Sequence, residues 1–310
     1  MSTFRRFAWW TTATTYLLIL VGGLVRASGA GLGCPDWPRC FGSWVPPASA
    51  AELPPRFDPS QFNSTLMWTE YLNRLLGVMV GFLIFATLIV AIRHHRHVRQ
   101  ILWPTAAAFL LTGFQGWLGG RVVAHELASW IVTVHLLVAL VIVSLLLYAT
   151  LYASYKLDPG RVANRPRAAT TAMQRRLAWG TLALITVTLA QVTLGAQVRG
   201  RVDEALERGT PRSEALATVG RYDQWHRDTA AVVVGGALLI MLGVVSQPSI
   251  ERPVARAAYA MCALVLVQAA LGMSMAYVGL TPAVQVAHLT ASSLLLGAET
   301  VLFLLARWLR

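Results

Sequence analysis

Eight long apolar stretches dominate this sequence and restrict its fold more than any other feature. A helix needs about 20 apolar residues to cross the hydrocarbon layer of a bilayer, and each stretch is about that long. The stretches begin near Ala8, Glu70, Ile101, Leu127, Gln174, His226, Val254 and Val284. Only 13% of the 310 residues are charged, against about a quarter in soluble domains. The sequence therefore predicts an all-α integral membrane protein with eight transmembrane helices.

The positive charge of the chain, formally +12, is concentrated on one side of the predicted spans. If the N-terminus lies inside, the inner segments carry fifteen of the 26 basic residues, and only Asp158 and Glu251 oppose them. The outer segments carry eleven basic and eleven acidic residues. Because basic residues favour the cytoplasmic side, we expect a cell inner (plasma) membrane protein with both termini in the cytoplasm. Topology thus explains the basic excess, and we expect contact with membrane lipid but no nucleic-acid partner.

An internal duplication organises the chain. A single offset of 153 residues relates three pairs of positions, namely Gln115 and Gln268, Asn73 and His226, and His135 and His288. Each half has an even number of helices, so both halves enter the membrane in the same orientation, related by a pseudo-twofold axis along the membrane normal. We therefore predict two pseudo-twofold-related four-helix bundles, residues 1–155 and 156–310. Glycines at matched positions are assigned to close helix packing.

The histidines at duplicated positions are the strongest indication of chemistry. An ionisable residue in a membrane helix is costly, about 2.5–3.5 kcal/mol when charged, and is usually functional. A single buried histidine most often only hydrogen-bonds a neighbouring helix. His226 and His288, however, come from the even-numbered helices of one half and lie at one depth, as axial ligation of a porphyrin between two helices requires. We expect this pair to bind heme iron in the outer third of the bilayer.

Arginines on the outer side are candidates for binding the heme propionates. Arg26 closes the first helix, and Arg199 lies at the equivalent position of the fifth helix, 173 residues later. The planar guanidinium group suits carboxylates, so we expect both residues to contact propionates. Snorkelling to the lipid headgroups is the alternative. That alternative is favoured for three other arginines at this level, namely Arg74, Arg121 and Arg227.

Glu70 is a further candidate, and the residues alone leave its role open. It precedes Asn73 by three positions and therefore shares its helix face. A carboxylate at the start of a helix is also favoured by the helix dipole and can be merely solvated.

Three cysteines complete the candidates. Cys34 and Cys40 lie in the first outer loop, on the oxidising face of the membrane, where a disulfide is favoured. Cys262 is alone in the seventh helix and is expected to pack there.

These residues and their surroundings resemble the heme A synthase family. The most specific pieces are the sequences GGLVR at residues 22–26, CPDWP at 34–38 and EYLNRLLG at 70–77, together with the three membrane histidines. The resemblance covers nearly the whole chain and agrees with the plan of two four-helix halves. Members of the family are integral membrane enzymes that oxidise the C8 methyl of heme O, through an alcohol, to the formyl group of heme A for cytochrome c oxidase.

The resemblance implies a role for each candidate residue. His226 and His288 would ligate a heme b cofactor in the C-terminal half, and His135 would ligate the substrate heme in the N-terminal half. Glu70 would be the catalytic acid. Asn73 departs from the family pattern, because the family has histidine at this position and an amide is a poor iron ligand.

The resemblance also implies partners and leaves a second function open. Heme O would be the substrate, and heme O synthase and an electron acceptor would be partners in the membrane. Cys34 and Cys40 match an outer cysteine pair found in part of the family. Because Asn73 weakens the match, the alternative is a heme-binding membrane cytochrome or heme carrier that leaves the methyl group unmodified.

Overall fold

The computed structural model describes residues 3–157, 171–247 and 250–308. Within these ranges the chain forms eight α-helices and four short 3₁₀ helices. The α-helices are α1 Thr3–Ala27, α2 Ser64–His95, α3 Arg99–Ala124, α4 Ser129–Tyr155, α5 Thr171–Glu207, α6 Arg221–Val245, α7 Arg252–Tyr277 and α8 Pro282–Trp308. All eight are long and apolar enough to cross a membrane. The prediction of an all-α, multi-pass membrane protein is confirmed.

The helices begin two to six residues away from the expected starts. Most begin earlier, because the polar first turn of a span is helical without being apolar. The first turn of α2 is an example, since the Asn63 side chain accepts a backbone hydrogen bond there at 3.1 Å and caps the helix. Helix α4 begins later, because Glu126 and Leu127 adopt positive φ angles of 48° and 62°, which interrupt the helix.

Each helix packs against the next one within its half. Helix α1 contacts α2, α2 contacts α3 and α3 contacts α4, and the same sequence of contacts runs from α5 to α8. The halves meet through α1, α4, α5 and α8. The pseudo-twofold axis and the division into residues 1–155 and 156–310 stay predictions. Asp158 and the basic residues of segment 158–170, counted above on the inner side, lie outside the described residues.

The helices differ in how far they are enclosed. In the most apolar window of α8, 56% of the residues are buried, against 17% in α6. Helix α8 therefore belongs to the centre of the bundle, and α6 to its rim. Large apolar side chains such as Phe82, Leu110 and Leu239 are more than half exposed. Outward apolar surface of this kind is expected where lipid surrounds the helices.

A disulfide closes a segment of the first outer loop, and this segment packs against α2. Cys34 and Cys40 are bonded, with their Cα atoms 4.8 Å apart, as predicted from the sequence. Both are fully buried and pack against Phe41 and against Met67 of α2. The remaining cysteine, Cys262, is free and half-buried in α7.

Candidate functional site at the duplicated histidine positions

The structure brings His226 of α6 and His288 of α8 together. The centroids of their imidazole rings lie 6.5 Å apart. Two imidazoles that bind one metal ion from opposite sides, at about 2 Å from each nitrogen, place their ring centroids roughly 6 Å apart. The separation is therefore of the size that one iron ion between the rings requires.

Each ring of this pair lies against a glycine of the preceding helix. A Cβ atom added to Gly195 would lie 2.9 Å from Cε1 of His226, and one added to Gly272 would lie 3.4 Å from Cε1 of His288. The histidine rings thus occupy the space that a side chain would need. The prediction of close helix packing for these glycines did not include this contact, although their matched positions in the repeat were a usable signal.

Two glutamines contact the same rings. Nε2 of Gln191 lies 3.4 Å from Nε2 of His226, and Nε2 of Gln268 lies 3.0 Å from Nε2 of His288. Which atom donates in each contact depends on the tautomer of the histidine and on the orientation of the amide group. The Nδ1 atom of each ring is buried and has no hydrogen-bond partner among the described residues.

The equivalent pocket of the first half has the same plan with looser contacts. A Cβ atom on Gly119 would lie 3.8 Å from Cε1 of His135, and one on Gly22 would lie 4.0 Å from Oδ1 of Asn73. Gln115 donates to the backbone oxygen of His135 at 2.9 Å instead of approaching its ring. Within the described part of the chain, His135 Nδ1 and Asn73 Oδ1 are buried without a partner.

Glu70 is buried, with 4% of its surface exposed, so it is not merely solvated. Its Oε2 accepts the backbone N–H of Cys34 at 2.7 Å, and its Oε1 accepts Nε of Arg74 at 3.1 Å. Arg74 also donates to the backbone oxygens of Cys34, Asp36 and Arg39. The expectation that Arg74 snorkels is therefore wrong, because loop carbonyls offer it nearer acceptors. The pair fastens the disulfide loop to α2.

Arg26 and Arg199 meet at one carboxylate. Nη2 of Arg26 donates to Oδ2 of Asp203 at 3.0 Å, and Nη2 of Arg199 lies 2.7 Å from Oδ1 of the same side chain. Nη1 of Arg199 also donates to Gln285. Asp203 was not among the predicted site residues, although its position four residues after Arg199 on one helix indicates an ion pair.

The two other outer arginines bind partners on their own helices or immediately after them. Arg227 pairs with Asp223 at 2.8 Å, one turn earlier on α6. Nη2 of Arg121 lies 3.1 Å from Nε2 of His125, just after the end of α3. Neither contact reaches across to the other half.

Comparisons with known proteins find similar sequences over most of the chain. Residues 5–300 match the family model COX15-CtaA, described as cytochrome oxidase assembly protein. A heme A synthase from Rhizorhabdus wittichii is 26% identical, over 91% of this chain and 88% of the relative. Heme A synthases from Shewanella oneidensis and Bradyrhizobium diazoefficiens are 32% and 28% identical, over 44% and 64% of this chain.

The extent of these matches differs between the relatives. The chain spans only 42% of the length of the Shewanella protein and 58% of the Bradyrhizobium protein. The family model, by contrast, matches nearly all of it, and on that ground this protein belongs to the COX15-CtaA family of cytochrome oxidase assembly proteins.

Proposed function

We propose that this protein is a heme A synthase, an oxidoreductase that converts the C8 methyl of heme O to the formyl group of heme A. Membership of the family and the names of its relatives support this proposal. The observation that carries it is the facing pair His226 and His288, with ring centroids 6.5 Å apart. This separation suits the binding of one heme between two helices.

In the C-terminal half, His226 and His288 would hold a heme b cofactor. The fit is supported by the buried, unpartnered Nδ1 atoms of both rings and by the space that Gly195 and Gly272 leave for them. Heme b, when bound, would supply one-electron transfer. The neighbouring protein groups orient the rings, and Arg199 offers its guanidinium group to a propionate.

In the N-terminal half, heme O would bind as the substrate, with its iron on His135. Asn73, on the helix face shared with Glu70, would lie beside it and leave the iron with a single imidazole ligand. Glu70 would stabilise positive charge developing at the methyl carbon or accept a proton from the attacking water. Its hydrogen bonds from Arg74 and from the backbone of Cys34 hold the carboxylate in a defined orientation.

The reaction implies two partners. Converting a methyl group and one water to a formyl group releases four electrons and four protons, so an electron acceptor in the membrane is required. Heme O synthase would supply the substrate. The distribution of basic residues supports insertion into the plasma membrane with both termini in the cytoplasm and the heme sites toward the outer face.

Pigment analysis tests this function. The chain is expressed in cells that make heme O, and the hemes are extracted from the purified protein and separated. We expect heme A together with its alcohol intermediate. Recovery of heme O alone, bound to folded protein, would contradict the proposed oxidation.

A second candidate is a heme-binding membrane cytochrome or heme carrier. Two observations favour it, namely Asn73 at a position equivalent to His226, and Glu70 engaged by the disulfide loop. A carrier would bind heme O and release it unchanged. The pigment analysis therefore also separates the two candidates.

A further inference from the structure

Asp203 and the residues bonded to it or to its partners form one cluster beside the pair His226 and His288. Its members are Arg26, Arg199, Asp203 and Gln285. Arg199 follows Gly195 by one helical turn, and Gly195 contacts the ring of His226. Gln285, which accepts from Arg199, precedes His288 by three residues on the same face of α8. The guanidinium group of Arg199 is thus bonded to the helix that carries His288, and it lies one turn from the glycine that contacts His226.

Arg26 reaches this cluster from the other half. It follows Gly22 by one turn of α1, and Gly22 faces Asn73 of the first pocket. Its guanidinium group nevertheless donates to Asp203 of α5, a residue 177 positions away. The position equivalent to Asp203 in the first half is occupied by Ala30, which carries no charge. The first half therefore lacks the carboxylate that would hold Arg26 beside its own pocket.

The cluster contains hydrogen-bond donors that have no acceptor among the described residues. Two guanidinium groups share one carboxylate, which leaves one positive charge. Nε and Nη1 of Arg26 are buried and have no acceptor in the part of the chain that the structure describes. Buried donors are normally satisfied, and a carboxylate gives charged donors their strongest hydrogen bonds. A propionate of a heme between His226 and His288 would supply that acceptor.

We propose that Asp203 is a positioning residue that turns Arg26 of the first half toward the heme of the second half, so that Arg26 and Arg199 form one clamp for its propionates. This inference rests on the heme b site of the proposed function and not on oxidation of the methyl group. It makes the C-terminal heme site dependent on a residue of the N-terminal half.

The test is a double-mutant cycle on the midpoint potential of the low-spin heme in the purified full-length chain. The variants are Arg26→Gln, Asp203→Asn and the two combined. Arg26→Gln should lower the potential, because a nearby cation stabilises the reduced heme. In the Asp203→Asn background the same substitution should lose most of this effect, since Arg26 is no longer held toward the heme. Residues in one network show such non-additivity.

A matched control is Asp223→Asn, which removes another carboxylate paired with an arginine one turn away, but on α6. In that background Arg26→Gln should keep its full effect on the potential. Asp203→Glu should restore the dependence on Arg26, because it returns the carboxylate.

Two results would overturn the inference. One is additive shifts in the Arg26 and Asp203 cycle; the other is an unchanged potential in Arg26→Gln alone, which needs no Asp203 variant to fold. If the protein makes heme A but the cycle is additive, the inference about Asp203 is wrong and the proposed function stands. A non-additive cycle in a protein that makes no heme A would leave the inference standing and remove the proposed oxidation.

Discussion

The two halves of the molecule share a helix plan but differ at the positions that face the pockets. In the second half, His226 and His288 face each other with ring centroids 6.5 Å apart. In the first half the equivalent positions hold Asn73 and His135. The duplication has thus kept the pocket while the ligands diverged. A heme held by two imidazoles should be retained more firmly than a heme held by one.

The two halves also differ in the side chains that contact the histidine rings. Both rings of the second half have a glutamine amide beside them, from Gln191 and Gln268. The position equivalent to Gln191 in the first half is Leu18, which has no amide. Gln115 donates its amide N–H to the backbone oxygen of His135 and not to the ring. The ring of His135 is therefore less constrained by its neighbours.

The largest effect should come from removing one ligand of the second half. His226→Ala or His288→Ala should abolish the tightly bound, six-coordinate low-spin heme, because both axial positions need an imidazole. The matched variant His135→Ala should retain it. Optical and EPR spectra of the purified proteins measure this. If His135→Ala removes the low-spin heme while His226→Ala spares it, the assignment of the two halves is reversed.

Glu70→Gln should reduce turnover of heme O on the order of 100-fold or more, because it removes an acid–base group while keeping its size. The bound-heme spectrum should stay unchanged. Arg74→Gln is the control, since it also breaks the Glu70 ion pair and weakens the anchor of the loop. Equal losses in the two variants would mean that Glu70 only fastens the loop. Rates are measured as heme A formed per bound heme.

Asn73→His should make the first half resemble the second. The added imidazole, with His135, should give a second low-spin heme signal when heme is supplied. The Gly22 pocket has room for the ring, because a Cβ there would lie 4.0 Å from Oδ1 of Asn73. EPR of the variant with and without added heme measures this. An unchanged spectrum would show that the first half does not place these two positions on one heme.

The smallest expected effect is the loss of heme affinity when a glycine beside a histidine ring is enlarged. Gly195→Ala should push the His226 ring away, since a Cβ there would lie 2.9 Å from Cε1. Overpacking of this kind costs about 1–3 kcal/mol, which corresponds to a loss of heme affinity of about 5- to 150-fold. Gly22→Ala, in the roomier first pocket, should leave the heme of the second half unaffected. Heme titration of the two heme-depleted variants measures their heme affinities. Equal losses of affinity would contradict the difference in packing between the two pockets.

Several features were predictable because they depend on local sequence. The eight spans follow from apolar stretches of about 20 residues, a property that each segment carries by itself. The histidine pair was predicted because His226 and His288 lie on even-numbered helices of one half and at one depth, and because the repeat matches each of them to a position of the other half. The disulfide was favoured because Cys34 and Cys40 lie six residues apart in one outer loop.

Other features depended on which distant segments meet. The sequence left Glu70 open between catalysis and solvation, and the structure shows it accepting the backbone N–H of Cys34, 36 residues earlier in the chain. The structure assigned Arg74 to loop carbonyls where the sequence favoured lipid headgroups. Backbone donors and acceptors in an irregular loop have no sequence signature, so neither of these contacts with the loop was predictable.

By itself, the sequence determined the eight membrane helices and the duplicated set of ligand positions, because hydrophobic length and repeat register are read along one segment at a time. Only the tertiary structure decided that Arg26 leaves its own half for Asp203, across 177 residues. The repeat predicted equivalent roles for Arg26 and Arg199. Arg26, near the end of α1, reaches a carboxylate of α5 that its own half lacks, and a partly buried charge pairs with the nearest opposite charge, whichever half supplies it.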